Sequence, residues 1–513
     1  MSLSKSQETR SKKAARKSRA AEVANILEAL LTALILAFVV REFVIQAFRI
    51  PTGSMADTLM GAHFRLRCQQ CGYKYDYGFD SRRLGLPQDT IPSGSIRHPY
   101  SRCPSCGHYD SAGRAVPVSS GDRILVLKCI YQFFEPEHWD VIVFKNPLEP
   151  SINYIKRLVG LPGETVEIID GDVYINGQIS RKPPKVQDEL WMPIYDNDYQ
   201  PVKPNERTFN GNKRWQQPFK NIAGSKWRLD KGNPVVFRLD SVGDKINWLI
   251  YDTTVGNELR ATYAYDDVRE YEYMPYCSDL MIRLYALLAE SQGLIGVNLS
   301  KYQTAYSAWV DSTGDMVIAR TSEGEERVEL AYKSIRPPAV NKSTLVKFAN
   351  VDHQLIFEFG SERLTYDLGH GADAAGRRRT EIPPQVKIFG LGKLTLSHIA
   401  VFRDIHYIAK GSGSGSERGR ATEGNPFTLG KDKFFVLGDN SPNSEDSRWW
   451  RRRGKGNNDL SYEPGIVPRD YLVGKALFVY WPSGFKLFGR DPLGIIPNIG
   501  QMRFIHGGSG KNQ

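Results

Sequence analysis

The feature that most constrains this chain is an apolar run from Val23 to Val40, interrupted only by Asn25 and Glu28. About 18 residues at ~1.5 Å rise span roughly 27 Å, enough for a thin bilayer. Arg41 and Glu42 close the run, and FVIQAF follows. Before it stand Lys5, Arg10, Lys12, Lys13, Arg16, Lys17 and Arg19. Basic residues flanking a membrane segment mark the side that stays inside. A cleaved secretory signal has a shorter apolar stretch and a small-x-small site, which is missing before Arg41. A buried helix of a soluble domain is the other alternative. The expectation is a single-pass anchor in the inner (cytoplasmic) membrane, with everything after about residue 45 on the extracytoplasmic side. No later stretch has the length and apolarity of a second span: YLVGKALFVYW (471–481) is strand length.

Net charge over the 513 residues is +11. Such a balance alone fits nucleic acid, an anionic membrane surface, or neither. The basic cluster abuts the apolar run, and no basic–aromatic stripe occurs elsewhere. No nucleic-acid partner is expected.

Cysteines carry the next signal. Cys68 and Cys71 form CQQCG; Cys103 and Cys106 form CPSCG. Two C-x-x-C knuckles, each followed by glycine, fit a four-thiolate tetrahedral structural zinc site, zinc-ribbon-like. Four thiolates leave no open position for catalysis. Two disulfides are the alternative outside the cytoplasm, with three possible pairings. His63 and His108 read as solvated loop histidines, and Cys129 and Cys277 as buried small hydrophobes.

Short β-branched segments follow at RILVLK (123–128), DVIVFK (140–145), YIKRLVG (154–160), ETVEIID (164–170) and DVYING (172–177), with turn residues between them. That rhythm predicts an antiparallel β domain. Residues 185–408 change character, with many short alternating segments such as PVVFRL and HQLIFEFG. They predict a β-sandwich or jelly roll inserted into the first domain. GSGSGSERGRATEG (411–424) reads as a linker. The fold class expected is mainly β.

Three places invite chemistry. Ser54 lies in a Pro- and Gly-containing turn shortly after the apolar run, where a serine is ordinarily a turn residue. Lys156 lies within an apolar strand; period-two alternation would put it inward and Arg157 outward. A buried lysine loses proton affinity and becomes a base near neutral pH. LGDNSPNSEDSRWW (437–450) is dense in carboxylates, hydroxyls and turn formers. No histidine stands in a triad context, which suits a serine–lysine pair better than Ser-His-Asp.

Taken together, IPTGSMADTL, GDRILVLK, YIKRLVGLPGETV and GDNSPNSEDSRWW, in that order after an apolar segment, resemble bacterial type I signal peptidases. The resemblance covers roughly residues 20–64, 118–180 and 428–500. The two inserts depart from the family pattern and are similar to a planctomycete-like form with large inserts. The resemblance implies a membrane-anchored serine endopeptidase with Ser54 as nucleophile and Lys156 as general base, needing no catalytic cofactor. It assigns Ser444 to orienting the lysine ammonium, Asp446 and Arg448 to a supporting ion pair, and Asp439 and Asn440 to completing the loop. The oxyanion hole would use the Ser54 N–H and the Thr52 hydroxyl, where the family has serine; the β-methyl restricts χ1. Phe48, Ile50, Met55, Leu59, Tyr154 and Ile155 would line pockets for small side chains. Signal peptides of exported preproteins, the lipid bilayer and the export machinery would be the partners.

The implied organisation is a basic cytoplasmic arm (1–22), a transmembrane helix (23–42), and catalytic parts at 43–64, 116–184 and 428–513. Between these lie the four-cysteine insert (65–115), the sandwich-like insert (185–408) and a linker (409–427). The rival reading is a catalytically inactive, membrane-tethered binding protein that uses the jelly-roll insert. It expects a degenerate Ser54 or Lys156, and both are intact.

Overall fold

The structure is a computed structural model that describes residues 22–87, 90–92, 94–110, 113–229, 235–372, 382–408, 418–456, 461–482 and 498–508. The basic arm up to residue 21 and the linker over 409–417 lie outside the described residues. The described chain is mainly antiparallel β, with one N-terminal apolar helix.

That helix runs Glu22–Val44 and is long and apolar enough to cross a membrane. Its apolar side chains, Leu30, Leu34 and Phe38 among them, are exposed. Its last turn, Val40–Val44, widens into a π-helix and leads straight into the first strand.

The site-bearing sheet consists of β1 (Ile45–Arg49), β2 (Arg123–Leu127), β3 (Val141–Lys145), β4 (Asn153–Gly160), β5 (Lys433–Leu437), β6 (Val467–Pro468), β7 (Leu472–Trp481) and β8 (Arg503–Phe504). Their spatial order is β1-β2-β7-β3-β4-β5-β6, with β8 paired to β7. Alternation works as expected in β2, where Ile124 and Val126 are buried and Arg123 is exposed. Each such fully buried side chain is worth about 1.5–3 kcal/mol. In β4 alternation fails: Lys156 through Gly160 are all buried, because both faces of this strand are covered.

The four-cysteine segment forms its own small sheet from Lys74–Gly78, His63–Arg67, Ala115–Ser119 and Ser95–Arg97. Contrary to the sequence expectation, His63 and His108 are buried, His63 bonding Gly61 O and His108 bonding Thr208 Oγ1. Cys277 is buried, whereas Cys129 is half-exposed.

The large insert is a single 13-stranded sheet folded on itself rather than two separate sheets. Two long strands, Leu280–Lys301 and Val386–Arg403, run side by side through both leaves. They turn the corner at the paired Gly293 and Gly392, whose φ values of 148° and 84° suit glycine. Inward residues switch from Leu280, Ile282 and Leu284 to Ile295, Val297 and Leu299 across that corner, so both leaves share one core. Buried ions tie the insert to the catalytic part: Lys182 bonds Asp352 and Asp404 at 2.5 and 2.8 Å, and Lys301 bonds Asp279 and lies 3.6 Å from Asp172.

Candidate active site

The segment after β1 is a compact turn. Ile50 N–H donates to Asp122 O at 2.9 Å, Ala56 N–H to Gly53 O at 3.0 Å and Leu59 N–H to Met55 O at 2.8 Å. Ser54 sits in this turn, and its carbonyl accepts from the Asn440 N–H at 3.1 Å. The approach depends on Gly438, where a Cβ would lie 2.4 Å from Ser54 O.

Lys156 projects from β4 to Ser54, its Nζ donating to Ser54 Oγ at 2.6 Å and to Ile155 O at 3.1 Å. Both side chains are withdrawn from solvent, Ser54 at 8% and Lys156 at 4% exposure. Burial lowers the Lys156 pKa to about 8, against opposing fields from Asp446, Asp439 and Glu445. The arrangement therefore combines a hydroxyl with an amine that loses its proton close to neutrality.

Arg157, expected outward, is fully buried instead. Its Nε and Nη2 make a two-point ion pair with Asp439 at 2.8 and 2.7 Å. Thr58 Oγ1, four residues past Ser54, donates to the same carboxylate. Asp446 receives Arg448 Nε and Nη2 at 2.9 and 2.7 Å, and also accepts from the Gly438 N–H at 3.0 Å. Arg448 further donates to Ile408 O and Ser441 Oγ, both at the edge of the site.

Two assigned hydroxyls stand apart. Ser444 is buried near Gly438, yet its Oγ has no hydrogen-bond partner among the described residues and makes no bond to Lys156. The lysine ammonium is oriented here by Ser54 Oγ and Ile155 O instead. Thr52 is exposed, and its hydroxyl is engaged by no described residue. Of the six pocket residues, Ile50, Met55 and Leu59 are buried in one cluster with Val141 and Val143, against which Phe48 and Ile155 pack. Tyr154 lies on the opposite face of β4, against Phe144, its ring centroid 5.5 Å from Lys156 Nζ. β4 pairs with β3 from Asn153 on, but with β5 only from Arg157 on. Among the described residues, no strand pairs with 153–156 on the side where β5 pairs from Arg157 on.

Several residues at the site escaped the sequence reading. Arg157 and Thr58 lie inside quoted motifs but look like a surface arginine and a turn threonine. Tyr263, Tyr265 and Asp266 belong to the large insert. Tyr263 Oη donates to Asp439 O at 2.9 Å, and Asn440 Nδ2 donates to Asp266 Oδ1 at 2.7 Å. Burial pushes the Asp266 carboxyl up to about 7. No local pattern in that insert announces contact with the site.

The four cysteine sulfurs all lie within 4.8 Å of one another. Cys68 Sγ is 3.7 Å from Cys106 Sγ, and Cys71 Sγ is 3.6 Å from Cys103 Sγ. A tetrahedron with metal–sulfur bonds of about 2.3 Å has edges of about 3.8 Å. The donor set therefore fits a structural metal, and none of these cysteines is in a disulfide.

Comparisons with known proteins give similarities to one peptidase family. The family model described as "Signal peptidase, peptidase S26" matches residues 110–217 and 406–481. These ranges hold Lys156 and the 439–448 loop; Ser54 precedes them. Signal peptidase I of Rickettsia typhi is 29% identical over 141 residues, 28% of this chain and 39% of that protein. Signal peptidase I of Rickettsia massiliae is 26% identical over 202 residues, 39% of this chain and 59% of that protein. The chain thus spans less than two thirds of the length of these relatives. Among solved structures, the carbohydrate binding module CBM66 from Bacillus subtilis matches with a TM-score of 0.23 and 10% identity, over 37% of this chain and 93% of that one.

Proposed function

We propose, from the premise that this chain belongs to the signal peptidase family, peptidase S26, that it is a membrane-anchored serine endopeptidase removing signal peptides from exported preproteins. The observation that carries this reading is the 2.6 Å contact between Ser54 Oγ and a buried Lys156 Nζ. Neutral Lys156 takes the Ser54 proton as the oxygen attacks the scissile carbonyl after a small residue. The same amine, now protonated, passes a proton to the leaving peptide nitrogen. It then takes a proton from the water that hydrolyses the acyl-enzyme. The Ser54 N–H would donate to the developing oxyanion, and the Thr52 hydroxyl, exposed in this structure, would have to turn in to join it; losing one such donor costs about 2.7–4 kcal/mol. The substrate lies extended along the edge at 153–156, as an added strand. Phe48 and Ile155, over the buried floor of Ile50, Met55 and Leu59, favour small side chains, with Tyr154 flanking the lysine.

On this reading the helix Glu22–Val44 is the single-pass anchor, with the basic arm on the inner side and the chemistry at the outer face of the inner membrane; its length and apolarity support the anchor. The lipid bilayer and the export machinery are then its neighbours. Asp446, Arg448, Asp439 and Asn440 hold the loop that carries Ser444.

The experiment is cleavage of a preprotein by the detergent-solubilised wild type, Ser54→Ala and Lys156→Ala. Only the wild type is expected to cleave, and retained cleavage by either variant removes the mechanism.

Zinc at Cys68, Cys71, Cys103 and Cys106 would be structural, cross-linking two knuckles 32 to 38 residues apart. Elemental analysis is expected to find about one zinc per chain. Cys103→Ser is expected to lose the metal and lower the melting temperature. Absence of metal, with only the two thiols of Cys129 and Cys277 free in the denatured unreduced protein, would favour the disulfide alternative.

A further inference from the structure

Tyr265 occupies an unusual place for a residue of the large insert. Its ring lies between two glycines from different parts of the chain. A Cβ on Gly53, one residue before Ser54, would sit 2.0 Å from Tyr265 Cε1; a Cβ on Gly78 would sit 2.4 Å from the same atom. Only two hydrogens in place of side chains let the phenol enter. Its hydroxyl donates to Ala62 O at 2.7 Å, at the far end of the nucleophile turn. Its own carbonyl accepts the Gly78 N–H at 2.8 Å, at the end of a strand of the four-cysteine module. Neighbouring residues reach the other half of the site. Tyr263 Oη holds Asp439 O, and Asp266 Oδ1 accepts Nδ2 of Asn440 at 2.7 Å and of Asn443 at 3.3 Å. Asn440 in turn pins Ser54 O through its N–H. Tyr263, Tyr265 and Asp266 are 1%, 4% and 6% exposed, so these contacts are made away from water.

We propose that the insert segment Tyr263–Asp266 is a positioning element of the Ser54–Lys156 pair, with Tyr265 as the wedge that joins the nucleophile turn to the four-cysteine module. The inference rests on the peptidase reading for its kinetic consequences, but not for its structural ones. The turn from Gly53 to Ala62 has its ends held by one phenol: the ring bears on Gly53 and the hydroxyl on Ala62 O. On the opposite side, Asp266 sets the Asn440 side chain and with it the amide that grips Ser54 O. Reacting groups misplaced by about 1 Å lose on the order of 100-fold in rate. The large insert is on this view part of the catalytic machinery's frame, not a domain carried beside it.

The test uses the full-length protein in detergent with Tyr265→Ala, Tyr265→Phe, Asp266→Ala and Asp266→Asn. Tyr265→Ala is expected to lower kcat roughly 100-fold with KM for a signal-peptide substrate nearly unchanged. Its pH–rate midpoint is expected to rise, as water reaching the site restores ordinary lysine basicity. Tyr265→Phe keeps the wedge and is expected to stay within about tenfold of wild type, the weight of one hydrogen bond. Asp266→Asn retains the acceptor oxygen and is expected to rescue most of the kcat lost in Asp266→Ala. Amide hydrogen exchange over residues 50–62 is expected to accelerate in Tyr265→Ala and Asp266→Ala, whether or not any variant cleaves. Unchanged kcat, pH profile and exchange in a folded Tyr265→Ala overturn the proposal. Should Tyr265→Ala fail to fold, the Asp266 pair decides: equal kcat and exchange in both variants and the wild type overturn it. A wild type that cleaves nothing sinks the peptidase reading alone, and the exchange data then decide the positioning role.

Discussion

Lys156→Met is expected to abolish turnover in a protein that remains folded, with kcat falling by about 10⁴-fold or more, as for loss of a general base that acts as a unit with its nucleophile. Methionine matches the lysine stem in length and apolarity, so the substitution removes an uncomfortable buried charge rather than opening a cavity. The pH dependence follows from the sign of the shift. Burial brings the Lys156 pKa down to about 8, and only the neutral amine accepts the Ser54 proton. Activity therefore rises with pH through about 8 and levels off above it. At pH 6 the neutral fraction is roughly a hundredth, with a matching loss of kcat/KM. A midpoint near the ordinary lysine value would mean a hydrated amine and would remove the burial argument. Rates that track a group titrating near 6 would instead assign the base elsewhere.

Arg157→Leu is expected to destabilise the protein by about 3–5 kcal/mol, because it leaves the Asp439 carboxylate buried without its counter-ion. The pair is desolvated on both sides, with side-chain exposures of 1% and 0%. At roughly 2–4 °C per kcal/mol, the melting transition falls by about 10 °C. Asp439→Leu strands the guanidinium and is expected to cost a similar amount. The double variant Arg157→Leu/Asp439→Leu is expected to lose less than the sum of the two, since neither charge is then left alone. Thermal melts of the three variants settle the matter. Single variants that melt with the wild type would show that water already reaches this pair.

The comparison of Lys156 with Arg157 shows how far alternation carries. Within an apolar strand, period two separates an inward from an outward residue only when one face meets water. β4 has both faces covered, so the inward lysine was legible while the second buried cation was not. Ser444 illustrates a different limit. The motif located it within the site, but the direction of a hydroxyl rotor depends on what Gly438 and the nucleophile turn leave room for. His63 and His108 read as loop histidines because loops look polar in sequence; His108 is buried against Thr208 and Phe209 of the large insert, and His63 in the strand His63–Arg67. The folded single sheet of the large insert had the same cause. Its strands were visible as alternating segments, whereas their continuity across the Gly293 and Gly392 corner is a property of pairing.

What the sequence determined by itself is local in origin. An 18-residue apolar run after a basic arm, two C-x-x-C-G knuckles, and four motif segments in order each act over a few residues, where composition and spacing carry the physics. The tertiary structure decided the rest. It brought Ser54 within reach of an amine 102 residues away, buried Arg157 on Asp439, and set Tyr265 of an unrelated segment between two glycines. Those contacts join elements far apart in the chain, and their free energy comes from excluding water between surfaces that exist only once the strands have paired.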